Sequence, residues 1–428
     1  SLAGPWRVTG TLQVNGLPVT LTASTGTAAD GAMRVRISAQ PRDYPVLIET
    51  DGEARLDQEQ GRYSGTFRFV NAKPPEEPQE ASAAAANPGN RVTGRFSLDH
   101  QRLAIDEFRF QTGPEDAPYT ADGTAVVDFG ANPSFSVTAD GAQIRLDESQ
   151  AEAGVISGLS ADERFAALRA FITNLPKPAI PGSIALNLPA IVAGDTTIRD
   201  IRIRAQPAEE GWNIASAAAT LPGRTRFEGE GLLTTGATPS FSGRILLAVT
   251  QPSGFAAWVA RDVDEAIRHL PAAGFSADVL LSKERQRFDN LELILGDARF
   301  RGAINRQSPE DARPSLMLKL DGDRLDLEGM RAFASLFISD AGRNRLGDHN
   351  VDLDVTAGPV SAQGFTAERL DAGMRLREGT LEIDRFTLTG LADANISATG
   401  TVSNIGAEPT GKLDASVIAV DLAPLAEL

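Results

Sequence analysis

The feature that most constrains this chain is a slipped strand that repeats. In "RFDNLELIL", Leu291, Leu293 and Leu295 alternate as in a strand with one apolar face, yet Phe288 stands three positions before Leu291 rather than two. The same phrase occurs as "LAIDEFRF" (Ile105, Phe108, Phe110), "TIRDIRI" (Ile198, Ile201, Ile203) and "LEIDRFTL" (Ile383, Phe386, Leu388). An aspartate lies inside each copy: Asp106, Asp200, Asp289 and Asp384. One extra residue that leaves the apolar side chains on one face is the signature of a β-bulge, which bends and twists the strand. A spacing this regular makes the chain an array of related β units.

Each slipped phrase leads into a second alternating strand that carries glycine: "YTADGTAVVDF" (Gly123), "RFEGEGLL" (Gly229, Gly231), "ARFRGAI" (Gly302) and "NISATGTV" (Gly400). A turn usually marked by proline follows, then a third strand: "SFSVTA", "SFSGRILLAV", "SLMLKL" and "KLDASV". Three units close with a stretch of helical period. One of these, "SADERFAALRAFITNLP", has Ser160 and Glu163 at capping-box spacing. The expected organisation is a partial β unit over 1–100 with a mobile Pro/Ala-rich loop at 73–90, then repeats over 101–194, 195–283 and 284–350. Their helices are expected near 161–174, 254–269 and 327–341, and a terminal repeat covers 351–428.

A sheet apolar on one side must pack that side, close as a barrel or hold an apolar ligand. The helices are too few and too short to cover so many strands. The expected fold is therefore mainly β: an elongated, repeating antiparallel sheet curled into an open apolar groove, half-barrel or taco-like. Small residues at inward positions would relieve crowding on the concave side. The candidate lining is Phe108, Phe110, Val127 and Phe129 in the first repeat, and Ile201, Ile203, Phe227, Leu233, Ile245 and Leu247 in the second. The third contributes Leu291, Leu293, Leu295, Phe300, Ile304, Leu316, Leu318 and Leu320. The fourth contributes Leu353, Val355, Leu381, Ile383, Phe386, Leu388, Ile396, Val402 and Leu413. Any one of these would ordinarily be read as packed core; the groove reading rests on the set.

The phrases "GDARFRGAI" and "RPSLMLKLDGDRLDLEGM", the long stretch from "NVDLDVTAGPV" to "TGTVSNI", and the closing "VDLAPL" resemble the repeated signature of the AsmA-like family. These are Gram-negative envelope proteins, relatives of TamB. The resemblance covers roughly residues 95 to 428. It implies a periplasmic β-groove carried by an inner-membrane anchor, a part in outer-membrane lipid homeostasis, and phospholipid acyl chains as the cargo of a bridge between membranes. An outer-membrane protein bound by strand addition to a lipid-free scaffold is the alternative partner. The chain opens on "SLAGPWRVTG" and holds no apolar run of 18 residues, so it reads as a piece whose membrane-anchoring segment lies elsewhere.

Signals for chemistry are thin. A formal net charge of −16 without a basic cluster argues against nucleic acid. The absence of cysteine removes thiol catalysis and sulfur-ligated zinc. His100, His269 and His349 stand apart, in no metal-binding spacing. "DGDRLD" offers Asp321, Asp323 and Asp326, but Ala332 occupies the position where a calcium loop needs glutamate. Gly229, Gly231 and Gly236 miss the dinucleotide fingerprint, and no nucleophile elbow occurs. The expectation is a protein without catalytic residues, cofactor or metal.

Overall fold

The structure is a computed structural model. It describes residues 5–14, 17–27, 32–42, 46–57, 60–71, 91–112, 119–146, 180–193, 196–259, 270–309, 311–330, 349–362, 365–404 and 409–421, with 169, 172, 173, 175 and 178. The loop expected at 73–90 and nearly all of the helix expected near 161–174 lie outside the described residues. The chain forms two compact units, Ser1–Ser157 with Pro178–Pro207, and Gly158–Lys177 with Ala208–Leu428.

The first unit is a sheet of β1 (Arg7–Val14), β2 (Leu17–Thr27), β3 (Met33–Pro41), β4 (Val46–Asp57), β5 (Gln60–Asn71), β6 (Arg91–Leu98), β7 (Arg102–Thr112), β8 (Tyr119–Asp128), β9 (Ser134–Leu146), β10 (Gly182–Ala193) and β11 (Thr196–Ala208). Each strand pairs with the one before it. All pairings are antiparallel except β9 with β10.

The second unit begins with β12 (Gly211–Leu221), β13 (Thr225–Thr234), β14 (Ser240–Val249) and helix α1 (Pro252–Val259). There follow β15 (Ala273–Leu281), β16 (Arg285–Leu295), β17 (Ala298–Gln307), β18 (Ser315–Gly322), β19 (Leu325–Asp326), β20 (Asn350–Ala357), β21 (Val360–Ala362) and β22 (Phe365–Ala367). The unit ends with β23 (Arg369–Arg377), β24 (Thr380–Leu391), β25 (Ala394–Ser403) and β26 (Thr410–Ala419). β19, β21 and β22 form a separate small sheet; the others run on as one ladder, antiparallel except β18 with β20.

The architecture is thus mainly β, as expected, with two departures from a pure antiparallel meander. A parallel neighbour cannot be reached by a tight turn, because the chain must first travel back along the strand. Both parallel pairs sit where the connection is long, over 147–181 and 323–349, which are stretches where helices are expected. Of these helices, residues 169, 172, 173 and 327–330 are described as helical, and 331–341 lie outside the described residues. The first part of the helix expected near 254–269 appears as α1, which buries Pro252, Ala256 and Val259 along one side; 260–269 lie outside the described residues.

The slips are bulges in three copies. Ile105 pairs with Ala125 while Phe108 pairs with Gly123, so three steps on β7 match two on β8. Phe288 and Leu291 take Ile304 and Gly302 in the same way, and Ile383 and Phe386 take Gly400 and Ala398. The register shift recurs against the strand on the other side of each bulge, so the extra residue is absorbed by both neighbours. In the second copy the register against β10 runs unshifted, with Leu188 opposite Ile201 and Ala190 opposite Arg199, and Asp200 takes a φ of 52°. Asn290 does the same within the third bulge, at φ 49°. Asp and Asn tolerate this left-handed region better than other side chains do, which accounts for their place inside the slip.

Glycine sits opposite the bulge because the strands approach closely there. A Cβ on Gly302 would overlap the Lys319 carbonyl oxygen, and one on Gly123 would overlap the Thr138 carbonyl oxygen and the Phe108 ring. Gly302→Ala is expected to destabilise the second unit by about 1–3 kcal/mol, the range for forcing extra atoms into a filled space. A urea-unfolding midpoint equal to wild type would show that the strands have room.

Candidate functional site: an apolar face with a charged reverse

Pairing registers in the second unit assemble the alternating residues into rows that cross the strands. One row runs Phe227, Leu247, Phe275, Leu293, Phe300, Gly322, Ala357, Leu370, Leu388, Ile396 and Val417. A second runs Gly229, Ile245 and Ala277, then past the bulge Leu291, Gly302, Leu320, Val355, Ala372, Phe386, Ala398 and Ala415. A third runs Ile214, Gly231, Gly243, Val279, Phe288, Ile304, Leu318, Leu353, Met374, Ile383, Gly400 and Leu413. A fourth starts at Trp212, Leu233, Phe241 and Leu281, and resumes beyond β17 with Leu316, Val351, Leu376, Leu381 and Val402. Directly opposed residues share a face, so these rows are one apolar surface.

Every candidate from 227 onward lies on this surface, Leu295 among them as the partner of Ala273 and Ala298. In the first unit Phe108 and Ile203 belong to a comparable row through Phe67, Gly123 and Leu186, Phe110 and Val127 lie in rows beside it, and Ile201 faces Leu188. Phe129 does not join them. It follows the last residue of β8 and is half exposed.

The surface is not evenly covered. Leu291, Leu293, Leu295, Phe300, Leu320 and Val355 are buried in one cluster with Leu325, Val360 and Ala367 of the small sheet. Phe300 is 2% exposed. The small sheet therefore lids the first two rows over β16 to β20. The third and fourth rows stay half-buried across nearly every strand, Ile304, Leu316, Leu318, Leu353, Leu381, Ile383 and Val402 included. At β26 the rows end exposed, with Leu413 at 50%.

Sequence reasoning missed several members of the rows. Phe275 and Leu281 belong to β15, where "FSADVLL" carries an alternating signal over only a few residues directly after a longer stretch of helical period. Leu370, Met374 and Leu376 of β23 carry the same signal in "RLDAGMRLR". Leu325, Val360 and Ala367 sit in strands of two or three residues, too short for any period to show.

The reverse face carries ion pairs. Arg385 meets Asp371 at 2.6 Å and Asp354 at 2.8 Å, Arg375 meets Asp384 at 2.5 Å, and Arg287 meets Asp289 at 2.7 Å. Asn290 donates to Asp278 at 2.7 Å, tying the third bulge to the neighbouring strand. Hydrogen bonds from Asn290 and then Arg244 hold the Asp278 carboxyl below its usual range, and Arg375 does the same for Asp384. These groups are exposed, so each pair contributes little. Their collective effect is to fix which face is wet.

Among the described residues no group of three or more His, Asp or Glu is placed to hold a metal ion. No described helix is long and apolar enough to cross a membrane. Compared with protein-family models, curated proteins and solved structures, the chain matches none.

Two measurements check this division. Phe300→Ala is expected to cost about 3–5 kcal/mol as a sealed core truncation, whereas Leu318→Ala, at a partly exposed position, costs about 1–2 kcal/mol; similar losses from both would remove the distinction. Because the Asp384 pKa is lowered in the fold, its stabilisation is full above the usual carboxylate range and is lost as pH falls through the lowered value. Asp384→Asn should therefore lower the thermal midpoint slightly at pH 7, by an amount that shrinks steadily as pH falls below the usual carboxylate range.

Proposed function

We propose that the apolar face holds lipid acyl chains, in a sheet curled into an open groove, and that the chain is the periplasmic part of an inner-membrane-anchored protein of the AsmA-like kind. In this reading phospholipid slides across the strands between the inner and outer membranes and no bond is made or broken. The carrying observation is the pair of apolar rows left half-buried through the strands of the second unit. A solvent-facing apolar surface of this extent on a soluble sheet calls for an occupant. An acyl chain gains about 0.8 kcal/mol for each buried CH₂, while its headgroup can remain in water at the rim. Bulges that add twist and close strand contacts at Gly302 and Gly123 support the curl. The ion-paired reverse face supports a sheet wet on one side only.

A second reading, an interaction scaffold for outer-membrane protein assembly, has β26 in its favour. Nearly all of its residues are exposed, and a strand edge of this kind accepts a further strand.

Native mass spectrometry of the purified chain should find co-purified phospholipid, and lipid-free protein in every preparation would remove the acyl-chain reading. Leu318→Asp and Ile383→Asp, both on the open third row, should leave the circular dichroism spectrum intact and abolish lipid retention. Unfolding by both substitutions would instead identify the row as closed core.

A further inference from the structure

The four rows hold one charged side chain among the described residues. In the fourth row, after Phe241 and Leu281, the next two positions are Gln286 and Arg306, directly opposite each other, before Leu316 resumes the apolar run. Arginines on the reverse face of the same strands, such as Arg287 and Arg385, meet carboxylates. Arg306 is half-buried and has no ion pair or side-chain hydrogen bond among the described residues. Leaving a guanidinium unpaired on an apolar face is costly unless its head reaches water or an anion. Its neighbours are also unfinished. Gln286 is pinned through its nitrogen, which donates to the Ser282 carbonyl at 2.7 Å, while its Oε1 is buried without a partner. Ser308, two residues beyond Arg306 and one past the end of β17, has a buried Oγ without a partner.

We infer that Arg306, Gln286 and Ser308 seat the headgroup of a glycerophospholipid, an inference that rests on the acyl-chain reading above. A phosphodiester accepts hydrogen bonds from the Arg306 fork and the Ser308 hydroxyl, and arginine suits phosphate because it can donate two parallel bonds. The Gln286 oxygen needs a donor, which the terminal hydroxyl of phosphoglycerol or the ammonium of phosphoethanolamine supplies. Arg306 is the second-last residue of β17, so the seat is at the strand ends. Ile304, two residues earlier, opens the half-buried third row toward Leu318 and Leu353, where the acyl chains lie.

The test loads the purified chain from vesicles of phosphatidylglycerol or phosphatidylethanolamine, and separately with diacylglycerol of the same acyl chains, and counts retained lipid by native mass spectrometry. Wild type is expected to retain phospholipid about tenfold better than diacylglycerol, the scale of one charge-assisted contact. Arg306→Met should erase that preference without changing diacylglycerol retention, and Arg306→Lys should keep part of it. A wild type with no preference, or a preference untouched by Arg306→Met, overturns the headgroup seat. Inorganic phosphate that binds and is lost in Arg306→Met, with no phospholipid preference, assigns the site to a free anion and also overturns it. Retention of neither lipid overturns the acyl-chain reading itself.

Discussion

Cross-strand register is the constraint on which the rest of this structure depends. A strand's side chains alternate faces, so a slip of one residue would turn a whole apolar set toward water and its charges toward the apolar side. The chain contains such slips at regular intervals and survives them, because in three of the four copies the extra residue is taken up as a bulge whose shift is repeated against both neighbouring strands. Ile245, Leu291, Leu320, Val355 and Phe386 consequently share one side, and Arg287, Arg375 and Arg385 share the other. The glycine or alanine facing each bulge is part of the same device, since a larger residue at Gly302 would meet backbone.

Keeping a face apolar over so many strands raises the question of what covers it. The second unit answers in two ways. Over β16 to β20 the small sheet contributes Leu325, Val360 and Ala367 and seals Leu293, Leu295 and Phe300 in a dry cluster. Toward the other ends of the same strands Ile304, Leu316 and Leu318 stay half-buried, Ile304 and Leu318 with one side packed against that cluster. The sealed part carries stability, and the open part has surface to give to a ligand. Under the acyl-chain proposal, that separation lets one sheet be both a folded domain and an apolar binding surface.

Much of this was legible in the sequence. Alternation places Leu291, Leu293, Leu295, Leu316, Leu318 and Leu320 on one face, and the interval between Phe288 and Leu291 by itself announces the bulge. Other features were hidden for physical reasons. The parallel pairings of β9 with β10 and of β18 with β20 depend on where a long connection delivers the chain, which no local pattern encodes. The sealed cluster depends on strands of two or three residues, below the length at which period two can be recognised. Nothing local in "ARFRGAINRQ" sets Arg306 apart from the other arginines; only its pairing with Gln286 and Leu316 puts it among apolar neighbours.

The central claim, that one face of the sheet is offered to acyl chains and the other to water, can be tested position by position because the chain has no native cysteine. Single cysteines carrying a photoreactive group would be placed at Ile304, Leu318, Leu353 and Ile383 along the third row, and at Lys319 and Glu382 on the reverse, and irradiated in the presence of phospholipid vesicles. The account predicts lipid adducts at the four row positions and none on the reverse face; adducts distributed equally between the two faces, or absent from the row, would contradict it.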